Sequence, residues 1–212
     1  MAVRNWGSAL AFACVAAARP ALGAEPDARS GEPGWSGAIT GYYYAMRDQP
    51  DFGVGIASLD RGSLHLEARY NYEARDSGST FVGWKFEGGE TVTFAVTPIV
   101  GALFGSTRGF VPGVEVSVGW RAFDVYVEAE YVRDLDQSDA SYYYAWSELG
   151  FRPAEWLRIG LVGQRTQTID SGRDLQRGIF GQLTLGKATL GVYAFNPDSA
   201  SRYIIVSVGA QF

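Results

Sequence analysis

Cysteine and histidine each occur once in the 212 residues, as Cys14 and His65, and lysine occurs only as Lys85 and Lys187. A lone cysteine excludes an internal disulfide, and a lone histidine excludes a multi-histidine metal centre. Beyond the first two dozen residues there is no long apolar run, which excludes a membrane-spanning helix in the body of the chain. What remains is a chain with 27 glycines, many aromatics and many β-branched residues spread evenly along its length, a composition of turns and half-buried strands.

The N-terminus has the form of a secretory signal peptide over residues 1–24. Arg4 supplies the positive charge, Ala9 to Ala18 the apolar run, and Ala21-Leu22-Gly23-Ala24 the small residues for cleavage. Cleavage there removes Cys14, Arg4 and Arg19, leaving 16 basic residues against 23 acidic ones and a formal charge of −7. That sign argues against a nucleic-acid partner, which needs a basic surface. Residues 25–34 (EPDARSGEPG) read as a flexible leader, and residues 35–212 as one domain.

From Trp35 onward the hydrophobic period is two. In Leu64–Tyr72 the even positions are apolar or aromatic, and in Phe123–Tyr131 the odd ones are, with acidic residues at three of the four even sites. Successive strand side chains point to opposite faces, so each segment has one apolar and one polar face. Twelve strands are expected: 35–47, 53–59, 63–75, 80–87, 91–103, 112–121, 123–133, 141–152, 155–167, 175–186, 189–195 and 202–212. A ten-strand count requires 53–59 and 80–87 to merge or drop out. Connections after even-numbered strands are tight and those after odd-numbered strands longer and polar, the asymmetry of an outer-membrane barrel. An even count puts both termini on the short-turn, periplasmic side. Tyr70, Tyr72, Trp84, Phe86, Trp120, Phe123, Tyr131 and Tyr143 fall near strand ends on the apolar face, where amphipathic rings meet lipid headgroups. Pro98 lies inside a strand, and its missing N–H predicts a bulge or a strand end.

The last strand carries a resemblance. Counting back from the end, Phe212, Ala210, Val208, Val206 and Ile204 are all apolar, and the sequence finishes on phenylalanine. In this the chain resembles bacterial outer-membrane β-barrel proteins as a class, with no narrower family. The resemblance implies an all-β, antiparallel up-and-down transmembrane barrel in the outer membrane, surrounded by its lipids and lipopolysaccharide. It also implies that Ile204, Val206, Val208, Ala210 and Phe212 are the signal taken up by the barrel-assembly machinery. It carries no activity and leaves the oligomeric state open.

Two constellations offer chemistry. Ser63 and His65 share a strand face with Cβ atoms about 7 Å apart, the one pairing from which a lipid-modifying hydrolase or acyltransferase can be built. Lipases and deacylases of the barrel type carry His-x-Ser, however, and here the order is reversed. Leu64 and Leu66 flank His65 and turn its ring to the interior, where a hydrogen-bonded role is the plainer reading. The second constellation is the interior charge set expected from alternation: Glu67, Arg69, Glu115, Arg121, Asp124, Glu128, Glu130, Glu148 and Arg158, with Gln164 and Gln182. Such groups are tolerable only in a polar lumen. They describe either a sealed interior of paired charges or a narrow aqueous path whose acidic excess favours cations. No metal and no cofactor are expected. Asp134–Asp139 places oxygen ligands at alternate positions but lacks the glycine and the terminal glutamate of a calcium loop, and reads as a solvated acidic loop. The expected function is therefore non-enzymatic, a structural surface protein or a narrow pore for small solutes or cations, with the His65-centred enzyme as the alternative.

Overall fold

A computed structural model describes residues 33–168 and 173–212. The expected signal peptide and all of the leader except Pro33 and Gly34 lie outside the described residues. The strand segments in chain order are β1 (Trp35–Met46), β2 (Phe52–Arg61), β3 (Leu64–Tyr70), β4 (Ser77–Trp84), β5 (Phe86–Gly88), β6 (Val92–Gly105) and β7 (Gly109–Trp120). They continue with β8 (Phe123–Asp134), β9 (Tyr142–Ala154), β10 (Leu157–Thr168), β11 (Arg173–Leu185), β12 (Ala188–Phe195) and β13 (Tyr203–Gln211). Every neighbouring pair is antiparallel, β1 closes on β13, and both β4 and β5 pair with β6.

β4 and β5 are two parts of one barrel strand, so the closed barrel has twelve strands, the number expected. Their register on β6 is the same on both sides of the break, running from Gly83↔Ile99 to Phe86↔Val96. The break therefore falls opposite Pro98, which has no N–H to donate to the ladder. Pro98 itself stays paired within β6, opposite Val114 of β7. The expected irregularity is thus realised in the neighbouring strand.

Alternation decides which face each residue takes. In β1, Thr40, Tyr42 and Tyr44 are buried inside while Ile39 and Tyr43 face out. In β13, Tyr203, Ile205 and Ser207 point in, and Ile204, Val206 and Val208 point out. The outer surface is a band of exposed Val, Leu and Ile, a lipid-facing surface rather than a water-facing one. Rings flank it at both ends. Trp35, Trp84, Phe86, Trp120, Phe123, Phe151 and Phe212 lie toward the short turns, and Tyr43, Tyr70, Phe104, Phe110 and Tyr143 toward the longer loops. Tyr131 joins the second ring, 4.7 Å from Tyr143 between ring centroids. Tyr72 does not. It lies past the end of β3 and is buried inside, a correction to the outward placement that simple alternation predicts.

Closure removes every sheet edge, the condition for strands to cross a bilayer with their backbone groups satisfied. Gly37 and Phe212 complete it by exchanging two backbone hydrogen bonds of 2.9 Å. Both ends of the barrel domain lie on the rim with the short turns.

Candidate functional site

The lumen has two unlike halves. β1, β2 and β9–β13 line one half with rings and aliphatic side chains: Tyr42, Tyr44, Trp146, Phe180, Tyr193, Phe195 and Ile205. Trp146 lies 5.5 Å from Phe195 and 5.9 Å from Tyr193 between centroids, and Phe195 stacks on Tyr203 at 4.9 Å. Trp146, Tyr193 and Ile205 have no solvent exposure at all. These side chains pack against one another inside the barrel, as an interior of this size permits.

The other half, lined by β3, β4 and β6–β8, carries the larger charge cluster beside a smaller apolar one of Phe81, Ile99, Leu103, Val111 and Val132. Arg69 reaches Glu130 at 2.6 Å, Glu128 at 3.1 Å and Glu73 at 3.4 Å through Nη1, and Glu67 through Nε. Its guanidinium also lies 4.1 Å from the Tyr72 ring and 4.2 Å from that of Phe81. Hydroxyl groups hold the carboxylates in turn. Tyr72 donates to Glu128 at 2.5 Å, Tyr126 to Glu128 at 3.0 Å and to Glu115 at 3.3 Å, and Ser79 to Glu73 at 2.8 Å. His65 Nδ1 donates to Asp60 at 2.8 Å, and its Nε2 lies 3.8 Å from Glu67. Asp60, His65, Glu67, Arg69 and Glu73 thus form one file in which each member lies within 3.8 Å of the next. The file runs from the short-turn rim to the loop between β3 and β4.

Arg158 centres a second cluster near the short turns. It binds Asp124, Glu148 at 2.5 Å and Gln182 at 3.0 Å, while Arg152 reaches Asp124 at 3.2 Å. A register shift between β9 and β10 falls at Arg158, and a bulge of this kind re-aims a side chain. Gly150 makes room for the pair: a Cβ there would come within 2.6 Å of Arg158 and 2.7 Å of Asp124. Gln182 donates onward to the Tyr193 hydroxyl at 2.7 Å, and Tyr203 donates to Gln164 at 3.3 Å, so both glutamines sit inside as expected.

Of the interior charges expected from alternation, Glu67, Arg69, Glu115, Asp124, Glu128, Glu130, Glu148 and Arg158 all face the lumen. Arg121 does not, and its placement is corrected. It occupies the β7–β8 turn at φ 53°, is exposed, and packs 4.9 Å from the Trp120 ring. A residue in a left-handed turn has left the alternation of the strand before it. Glu73 is the converse case, an interior charge outside any strand. Residues 71–76 turn between Asn71 at φ 57° and Asp76 at φ 56°, and fold Tyr72 and Glu73 together back into the barrel. Ser63 and His65 are not joined. Among the described residues, His65 meets Asp60 through Nδ1, and no hydrogen bond reaches Nε2.

The acidic loop 134–139 is a hydrogen-bonded turn. Asp134 accepts from the Asp136 and Gln137 amides at 2.8 Å, and Arg108 grips Asp136 at 2.5 Å.

Comparison with solved structures gives the architecture its context. The chain is similar to a KdgM porin, with a TM-score of 0.57 and 12% identity over 82% of this chain and 98% of that one. It is similar again to a KdgM porin in complex with disordered oligogalacturonate, at a TM-score of 0.59 and 11% identity with the same coverage. The fold is that of outer-membrane porin barrels. No family model matches the sequence, and no curated protein does. At such low identity the likeness is one of architecture.

Proposed function

We propose that this protein is a narrow channel of the bacterial outer membrane that favours small cations. The observation that carries the reading is the file from Asp60 to Glu73. Together with Glu115, Glu128 and Glu130 it sets six carboxylates against Arg69 and His65. In a region of low dielectric such a surplus draws cations and repels anions. Oligogalacturonate, bound by the similar porin, is a chain of carboxylates, and a lumen of this sign disfavours such a cargo.

The short-turn rim with both termini faces the periplasm in this reading, and the longer loops face outward. Lipids and lipopolysaccharide surround the apolar band, and β13 is the segment offered to the assembly machinery. The packing of Trp146, Tyr193, Phe195 and Ile205 inside the barrel supports a second reading, a sealed structural barrel whose charges only brace the wall. A lipid-modifying enzyme centred on His65 draws no support from the geometry, since neither ring nitrogen contacts Ser63.

Reconstitution in planar bilayers under unequal KCl concentrations separates the readings. A reversal potential of cation-selective sign is expected, moving toward zero in an E128Q/E130Q variant. No conductance at any voltage would leave the sealed barrel, and an anion-selective potential would overturn the cation preference.

A further inference from the structure

His65 is buried, only 2% exposed, and its Nε2 has no hydrogen-bond partner among the described residues. A buried imidazole nitrogen left unpaired costs stability, so the atom it faces matters. A ring nitrogen of His65 converges with a carboxylate oxygen of Glu67 and one of Glu115, all within 4.8 Å of one another, and Nε2 is the nitrogen on the Glu67 side, 3.8 Å from Oε2. We propose that these three side chains bind one divalent transition-metal cation, with zinc the best match to an imidazole and two carboxylates.

The wall is built for this meeting. Cross-strand pairing sets Asp60 beside His65, His65 beside Gly83 and Gly83 beside Ile99, and the next inward-facing pair toward the short turns sets Thr97 beside Glu115. Gly83 leaves a gap there. A Cβ there would meet Ile99 at 2.8 Å and the Thr97 methyl at 3.1 Å. The side chains of β3 and β7 can therefore approach each other over the strands between them. Thr97 adds a second orphan, a buried hydroxyl with no hydrogen-bond partner among the described residues.

Each ligand is also held from behind. Asp60, 2.8 Å from Nδ1, favours the tautomer with its proton there, which leaves the Nε2 lone pair for the metal. Arg69 binds the Oε1 atom of Glu67, leaving Oε2 on the side of His65. Tyr126 donates to Glu115 at 3.3 Å. Tetrahedral zinc with bonds of about 2.1 Å needs ligand atoms about 3.4 Å apart. The His65–Glu67 separation of 3.8 Å is already near that, and small rotations of Glu115 supply the rest. Asp60 is one-fifth exposed, so the route in is from the short-turn rim.

The test uses the full barrel, folded in detergent without a polyhistidine tag, titrated calorimetrically with zinc chloride. Folding of every variant is checked by heat-modifiable gel migration. One zinc per barrel is expected, with binding lost in H65Q and E115Q and weakened about tenfold or more in D60N. Cobalt substitution should give the visible absorption of a four-coordinate site, absent in E115Q. E115Q stays informative even if H65Q fails to fold, because glutamine keeps the shape of the side chain. Folded wild type that takes up no zinc at micromolar concentrations would overturn the proposal. So would binding that is unchanged in E115Q. Both readouts are independent of conductance, so the site and the channel reading stand or fall separately.

Discussion

Arg69 Nη1 and the Glu130 carboxylate, 2.6 Å apart, tie β3 to β8 across a third of the barrel's circumference. Four carboxylates meet at this one guanidinium, so it neutralises charge that the bare wall cannot hold.

Replacing Arg69 with methionine should therefore destabilise the barrel by about 3–5 kcal/mol, the cost of removing one partner from a buried ionic cluster. Urea unfolding of barrels in lipid vesicles measures it. E73Q, which removes one of several anions, should cost clearly less. If R69M unfolds at the wild-type urea concentration, Arg69 is not the brace described.

Trp146 is fully buried inside the barrel against Tyr193 and Phe195, and its removal should widen the interior there. W146A is expected to cost about 3–5 kcal/mol as a buried ring truncation, and to raise single-channel conductance above the wild-type level. A barrel sealed for structure at several levels would lose the stability without gaining the conductance. The two measurements on one variant therefore discriminate between the readings.

Asp51 closes the loop between β1 and β2. It accepts from the Tyr43 hydroxyl at 2.7 Å and from the Met46 amide at 2.9 Å, and these bonds hold its carboxyl below the ordinary value. A depressed pKa means that the closure is fully present above the unfolded pKa and is lost as pH falls through the folded one. In a carbon-detected NMR titration, Asp51 should move back up toward the ordinary value in Y43F. An unchanged titration would show that Tyr43 does not contribute.

Phe212 should matter for closure and export more than for the lumen. Deleting it removes both backbone bonds to Gly37 and the outermost apolar contact of β13. Slower insertion into vesicles and less assembled barrel in cells are expected, with unaltered ion preference in the fraction that folds. Equal assembly with and without Phe212 would count against its role as an assembly signal.

Period-two alternation, the tight and longer connections in turn, and the C-terminal strand together pointed to the barrel from the sequence alone. Alternation sets the face of each strand residue by local geometry, so the strand number, the outward Ile204, Val206 and Val208, and the inward Glu128 and Glu130 were all legible. Residues that leave the strand were not. Arg121 turns out at the β7–β8 corner, while Tyr72 and Glu73 fold in, because backbone with positive φ in these turns interrupts the alternation. Tertiary structure alone decided which inward residues meet. The convergence of Glu67, Glu73, Glu128 and Glu130 on Arg69, of Asp124 and Glu148 on Arg158, and of Glu115 on His65 depends on register summed over several strands. Pairing across a closed sheet is non-local, and no window of sequence contains it.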